Sequence, residues 1–421
     1  MTDTHHRTGL SVPGRPGLFT TADRPAVDTA TLAAEATDVL CDAVALRRAI
    51  HAEPELGLDL PLTQARVLDA LADLDLDVSV GSSVSSVVAT MVGDAEGPTI
   101  LLRADMDALP MPEDTGLDFA SRIDGVMHAC GHDAHVAMLC GAARLLAARR
   151  SDMRGTVKFL FQPGEEGHHG ARHCIEEGLL TAPEVDAAFA LHISPNLASG
   201  HLTTKGGAIM ASADELSIEI RGRGGHASAP HNAVDPVPVA AEVILAIQSH
   251  MTRSVNAFDP AVLTVTSLHA GTTGNVIPES AHMLGTIRAV SEATRARVHD
   301  GLHRVAHHVA AAHDCEATVE ITRGYPVTVN DDDFVAFAIG VMEELVGSDR
   351  VSTMPAPIMG AEDWSYVLQQ VPGVMAFLGV CPPGMSPGRA PSCHSNRMQL
   401  DEEAMATGIA THAAMALAYL A

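Results

Sequence analysis

Apolar and polar positions alternate in a pattern that first predicts helices over residues 31–51 and 62–74. The turn Glu53-Pro54-Glu55-Leu56-Gly57 closes the first of them. Apolar runs at residues 85–91 and 99–104 then read as strands, the second flowing into Asp105-Met106-Asp107. A helix near 135–149, a strand at 156–162, a helix near 171–177 and a strand at 186–192 continue the alternation. Continuous apolar strands separated by helices predict a layered α/β sheet buried on both faces.

The texture changes after Gly206-Gly207. Strand 215–221, helix 236–254, strands 261–268 and 281–290, helix 292–312 and strand 316–321 spell βαββαβ, the split βαβ unit of ferredoxin-like domains. The α/β pattern then resumes with helices 333–345 and 363–369, strand 374–378 and a last helix 402–420. The expected organisation is a discontinuous main domain, residues 31–208 and 324–421, with a smaller domain inserted at 209–323. Residues 1–30, polar and proline-bearing, are expected to form a flexible arm. They lack the basic and apolar regions of a signal peptide.

Composition narrows the partners. The 421 residues carry 26 Lys+Arg against 52 Asp+Glu, a net charge of −26, which argues against nucleic acid. Residues 404–421 are uncharged, but Thr407, Gly408, Thr411 and His412 interrupt them, so they read as a packed helix and no membrane partner is expected. Seven scattered cysteines and no export signal point to reduced thiols in the cytoplasm.

Four segments concentrate chemistry. Met127-His128-Ala129-Cys130-Gly131-His132-Asp133-Ala134-His135 places three imidazoles and a thiol just before a helix. Cys130 and His132, two apart, can face one zinc, manganese, cobalt or nickel ion, or can be a buried free thiol and a helix-capping histidine. Phe161-Gln162-Pro163-Gly164-Glu165-Glu166-Gly167 follows a strand. Its adjacent carboxylates can divide metal binding from proton transfer, or can form a solvated acidic turn. Asp105, Asp107 and His192 also stand at strand ends, where ligands of α/β sheets gather. In the inserted domain, Gly222-Arg223-Gly224-Gly225-His226-Ala227-Ser228-Ala229-Pro230-His231 offers His226 as a donor to an oxyanion, or as an ordinary loop histidine. Ser392-Cys393-His394-Ser395-Asn396 offers His394 as a last ligand, or as a solvated one.

Six motifs occur in order. They are Arg103 to Pro110, Met127 to His135, Phe161 to Gly167, Gly224 to Pro230, Gly274-Asn275-Val276-Ile277-Pro278 and Met359-Gly360-Ala361-Glu362-Asp363. Together the chain resembles the dinuclear-metal aminoacylase/carboxypeptidase superfamily from about residue 32 to its end. The Cys-Gly-His form resembles the amidohydrolase branch of hippurate hydrolases, N-acyl-amino-acid amidohydrolases and indole-acetyl-amino-acid hydrolases.

The resemblance implies two divalent ions per subunit, on Cys130, His132, Glu166, His192 and His394, with Cys130 as the bridge. It implies Glu165 as general base and Asp107 as the carboxylate orienting a ligand. It also implies His226 crossing a dimer interface to the neighbouring subunit's substrate. Asn275, Arg288 and Gly360 would bind that substrate, an N-acyl amino acid, with Arg288 suited to gripping a carboxylate. The inserted domain would serve as lid and dimerisation module of a homodimer or homotetramer. A dipeptidase or carboxypeptidase of the same superfamily, or a catalytically silent metal-binding protein, are the rival expectations. His168-His169 stand where the family mostly has small residues, placing an extra imidazole at the pocket rim. The aromatic content of 3% leaves no evident stacking platform for an aromatic acyl group.

Overall fold

The computed structural model describes residues 27–421. The expectation of a flexible arm falls, as far as residue 26, outside the described residues. Two compact units make up the rest: residues 27–207, 329–355 and 366–421 form the larger, residues 208–328 and 356–365 the smaller.

In the larger unit, α1 (Thr29–Asp38) starts at Asp28, whose carboxylate accepts the Thr31 N–H. The single helix expected over 31–51 is two, because Val39 separates α1 from α2 (Leu40–Ala52). Proline begins α3 (Pro61–Leu71), where its missing N–H has no helical partner to lose. An eight-stranded sheet follows, which takes β1 (Asp77–Val80), β2 (Val87–Val92), β3 (Ala95–Asp105), β4 (Arg154–Gln162), β5 (Ala187–Ser194) and β6 (Leu202–Thr204) from this first stretch of chain. Helix α4 (His132–Ala147) connects β3 to β4, and α5 (Gly170–Glu176) connects β4 to β5.

The smaller unit holds β7 (Asp214–Arg221), β8 (Gly225–His226), α6 (Pro236–Ser254), β9 (Ala261–Ala270), β10 (Val276–Ile277), β11 (Ser280–Ala289), α7 (Glu292–Ala311) and β12 (Glu316–Arg323). The chain then returns to the larger unit with α8 (Asp332–Val346), β13 (Val351–Thr353), β14 (Gly373–Gly379) and α9 (Ala404–Tyr419).

The large sheet runs β1-β2-β4-β3-β5-β14-β6-β13. Its centre is parallel: β3 pairs with β4 and β5, and β5 with β14. Asp105 lies opposite Gln162 and His192 opposite Phe377, so these strands deliver their carboxyl ends to one edge. The short or exposed strands β1, β6 and β13 escaped the sequence reading, since β1 is exposed throughout and the other two span three residues each. Helix α4 is buried along nearly its whole length, which explains its continuous apolar character. It packs on α9, where Gly408 is needed: a Cβ there would come within 2.1 Å of the Met138 sulfur. The helix expected at 363–369 shrinks to the single turn Ser365–Leu368, because Glu362 Oε1 takes the Trp364 N–H at 3.1 Å and the helix starts beyond it.

In the smaller unit the sheet order β9-β11-β7-β12 is antiparallel throughout. Alternate residues such as Leu216, Ile218, Ile220, Met283 and Ile287 turn inward onto Val243, Ile247, Val298 and Leu302 of the two helices. A one-sided antiparallel sheet gives the clean alternation seen in the sequence. Among the described residues no helix is long and apolar enough to cross a membrane.

Candidate active site

The larger unit gathers its chemistry at the carboxyl edge of the parallel strands. Gly131 occupies the left-handed region at φ +87°, and a Cβ on it would meet Ile193 Cδ1 at 2.6 Å. Only glycine therefore lets Cys130 and His132 sit on either side of so tight an entry to α4. The helix begins at His132, three residues before the expected start, which puts His132 and His135 on one face.

Each imidazole here is fixed through its other nitrogen. His132 Nδ1–H donates to the Asp107 carbonyl at 2.8 Å, and His192 Nδ1–H donates to the Ile193 carbonyl at 2.6 Å. Both Nε2 atoms are thereby turned toward a common centre. His192 Nε2 lies 3.3 Å from Cys130 Sγ, and His394 Nε2 lies 3.2 Å from Glu166 Oε1. Potential ligand atoms of Cys130, His132 and His192 fall within 4.8 Å of one another, as do those of Cys130, Glu166 and His394, and those of His132, Glu165 and Glu166. Cys130 and His132 belong to two of these trios each.

The Glu165-Glu166 turn is held from below. Asp107 accepts the Glu165 N–H at its Oδ1 and the Glu166 N–H at its Oδ2, both at 2.9 Å. One residue thus orients His132 with its carbonyl and the glutamate pair with its carboxylate.

Charge and burial set the protonation pattern. Burial alone would lower the His132 imidazole, but Asp105, with Asp107 and Glu166 adding, carries it up to about 10. Burial, reinforced by His135, keeps His192 well below the ordinary imidazole range and therefore neutral. Burial opposes ionisation of Glu166, yet the adjacent His394 imidazole and the His132 charge hold its carboxyl below the usual range. The neighbouring Cys393 thiol, then burial, push the Cys130 thiol well up.

Two buried atoms facing this centre, His132 Nε2 and Glu166 Oε1, make no well-formed hydrogen bond; their charged neighbours are Asp105 Oδ2, 3.4 Å from His132 Nε2, and the His394 imidazole, 3.2 Å from Glu166 Oε1. Such orphans are rare unless something else satisfies them. They face a thiol, imidazoles and carboxylates, a donor set that suits divalent transition metals. The residues present therefore fit metal ions.

Two supports were not singled out in the sequence. His135 Nδ1–H donates to Asp105 at 2.5 Å and its Nε2 accepts the Ile193 N–H at 2.9 Å, bracing the backbone beside His192. The signal was present in the i, i+3 spacing of His132 and His135. Behind α4, Asp133 Oδ2 accepts from Arg47 Nε at 3.0 Å and lies 2.9 Å from His51 Nδ1, and Arg47 Nη1 also donates to Glu402 at 2.6 Å. No local pattern announces contacts that span 82 to 355 residues. The His168-His169 pair contributes to no candidate metal trio among the described residues. The His168 ring lies against Gly57, and His169 Nδ1 is 2.8 Å from the Tyr366 hydroxyl.

The remaining predicted residues lie in the smaller unit. The β8/β10 ribbon pairs His226 with Val276, and the Ala227 N–H donates to the Asn275 carbonyl at 3.1 Å, so His226 and Asn275 are neighbours. The Ser228 N–H donates to His226 Nδ1 at 3.1 Å. A neutral His226 then carries its proton on Nε2, free to donate. Arg288 and Gly360 both approach the 211–212 segment: the Gly360 carbonyl accepts the Ala211 N–H at 2.9 Å, and the carbonyl of Ala289, next to Arg288, accepts the Ser212 N–H at 2.8 Å. Arg288 is half-buried, its guanidinium pKa drawn down by burial, and no hydrogen bond or ion pair holds its side chain among the described residues.

Known proteins share this arrangement of sequence and fold. The chain is 37% identical over 380 residues to thermostable carboxypeptidase 1 of Saccharolobus solfataricus, covering 89% of this chain and 95% of that one. It is 37% identical over 361 residues to an N-acetylcysteine deacetylase of Bacillus subtilis, covering 86% and 92%. The crystal structure of the Bacillus subtilis YXEP protein, described as a dinuclear metal binding peptidase from the M20 family, superposes with a TM-score of 0.79 at 33% identity. That match covers 91% of this chain and 99% of that one. Residues 101–418 match peptidase family M20/M25/M40, and the chain belongs to that family.

Proposed function

We propose that the protein is a metal-dependent amidohydrolase that cleaves the amide bond of N-acyl amino acids. The observation that carries the reading is the glutamate pair gripped by Asp107, with Glu165 and Glu166 both within 4.8 Å of His132. A purely structural metal site is closed and needs no general base beside it. The deacetylase relative acts on a substrate of this class by its name.

Cys130, His132, Glu166, His192 and His394 would hold two divalent ions, zinc, manganese, cobalt or nickel, which when bound would lower the pKa of a water and polarise the amide carbonyl. Glu165 takes the proton of that water and returns it to the leaving amine. Asp107 keeps both glutamates aimed by holding their backbone N–H groups. His226, proton on Nε2, donates to the developing oxyanion of a substrate in the neighbouring subunit. Arg288 grips the substrate carboxylate in bidentate fashion, with Asn275 and Gly360 beside it. The inserted domain, residues 209–323, acts as lid and dimerisation module, and the enzyme works as a cytoplasmic homodimer that can pair into a homotetramer.

The carboxypeptidase relative, equally identical, favours a second reading in which the acyl group is itself a peptide. Metal analysis together with hydrolysis of N-acetyl, N-benzoyl and dipeptide substrates, before and after chelation, separates the two. Chelator-sensitive cleavage of acyl amino acids supports the first reading, while preference for dipeptides supports the second. Full metal occupancy without turnover of any substrate would defeat both.

A further inference from the structure

Cys393 has no place in the reaction above, yet it lies against the residue on which the metal centre turns. The His394 N–H donates to the Ala129 carbonyl at 2.8 Å, and the Cys393 thiol reaches the Cys130 carbonyl at 3.8 Å. These contacts lay the 392–396 loop along the Cys130 turn. A disulfide needs its two Cα atoms about 4.4–6.8 Å apart, and the reach of Cys393 Sγ to the Cys130 carbonyl sets the two residues side by side.

Cys393 joins none of the trios of potential ligand atoms. It is a neighbour of Cys130 rather than a further ligand. Cys130 is 7% exposed, whereas Cys393 is half-buried between the exposed Ser392 and His394. Cys393 is thus the more open of the two residues. Both thiols are free.

We propose that Cys130 and Cys393 form a redox modification site, in which a peroxide joins them into a disulfide once the metal is gone and so removes Cys130 from the ligand set. The inference rests on the reading of Cys130 as a metal ligand. The Cys393 thiolate attacks one oxygen of the peroxide; the O–O bond breaks, leaving a sulfenic acid and hydroxide. Cys130, giving up its thiol proton, then attacks that sulfur; the S–S bond forms, the S–O bond breaks and a second hydroxide leaves. The two thiol protons convert both hydroxides to water, so two thiols are oxidised by two electrons and one peroxide is reduced. Metal on Cys130 ties up the attacking sulfur and protects the pair, and a dithiol reductant reverses the bond.

The test uses the full-length protein, stripped of metal and treated with hydrogen peroxide. It should lose two of its seven thiols and two hydrogens of mass, and digestion should return a peptide linking Cys130 to Cys393. Loading with zinc beforehand should prevent the link, and dithiothreitol should restore both thiols and metal uptake. Cys393→Ser, or Cys393→Ala as a second variant, should form no link. A metal-free protein that keeps all its thiols, or a Cys393→Ser variant that loses the same two hydrogens, would overturn the site. Metal uptake by Cys130→Ser is measured separately: unchanged uptake defeats the ligand reading, whether or not the disulfide forms. Lost uptake in that variant, with no linked peptide in the parent, defeats the redox site alone.

Discussion

The candidate metal edge of the larger unit and the His226 ribbon of the smaller one are both proposed to carry chemistry, but they are held in opposite ways. At the edge, His132 and Asp105 are fully buried, the His132 and His192 imidazoles are each turned by a backbone carbonyl, and the glutamate pair hangs from Asp107. On the ribbon, His226 and Asn275 are exposed, and the His226 ring has Ser228 as its hydrogen-bond partner. Burial raises the cost of an unpaired charge, so the edge is specified by many mutually dependent contacts. An exposed ribbon incurs no such desolvation, and the His226 tautomer is set locally by Ser228.

The largest effect should fall at the buried edge. Glu165→Gln keeps the shape of the turn but removes the base, and kcat should fall by ~10²–10⁴-fold while metal content is retained. Steady-state kinetics beside elemental analysis checks this; full activity in the variant defeats the mechanism.

The ribbon should respond next. His226→Ala should lower kcat by ~10²–10³-fold, the loss of one oxyanion donor, with unchanged melting temperature because the side chain is exposed. Mixing His226→Ala with Glu165→Gln subunits should recover activity, since one site of each mixed dimer then has both groups. Absence of recovery places His226 outside the neighbouring subunit's reaction.

The smallest effect sharpens the contrast through pH. Burial would lower the His51 imidazole, but Asp133, with Glu113, outweighs it and raises it from its ordinary 6.5 to about 9. A group raised on folding contributes fully below its unfolded pKa and loses that contribution as pH climbs through its folded one. Stability from the Arg47–Asp133–His51 network should therefore decline between pH 6.5 and about 9. Thermal melts across that range, compared with His51→Gln, check it: the variant should melt lower at the acid end of the window and show a flatter profile.

Much of this was legible in advance, for identifiable reasons. Helix α6 begins and ends where the sequence placed it, because Asp235 caps it, Pro236 starts it and apolar residues recur along one face. The Cys130-Gly131-His132 step was legible because a left-handed glycine between two ligand-type residues is a local signature. His192 and His394 are different. Their types were visible, but their convergence on Cys130 and Glu166 depends on a parallel register and on a loop pinned to Ala129. Resemblance to a family suggested that meeting; composition and spacing did not.

What the sequence determined by itself is what short-range forces determine: the alternation of strands and helices, the caps, the glycine turns, and the kinds of side chain available for chemistry. What only the tertiary structure decided is which of those side chains share a charge environment. Asp133 reads as one residue of the segment before the expected helix, and it becomes the buried anchor of Arg47 and His51 only when α2 packs behind it. Cys393 reads as one thiol among seven, and it becomes the partner of Cys130 only when the last loop lies against the α4 entry. Electrostatic and redox coupling act over a few ångströms of space, and a chain brings residues that close by register and burial rather than by proximity in sequence.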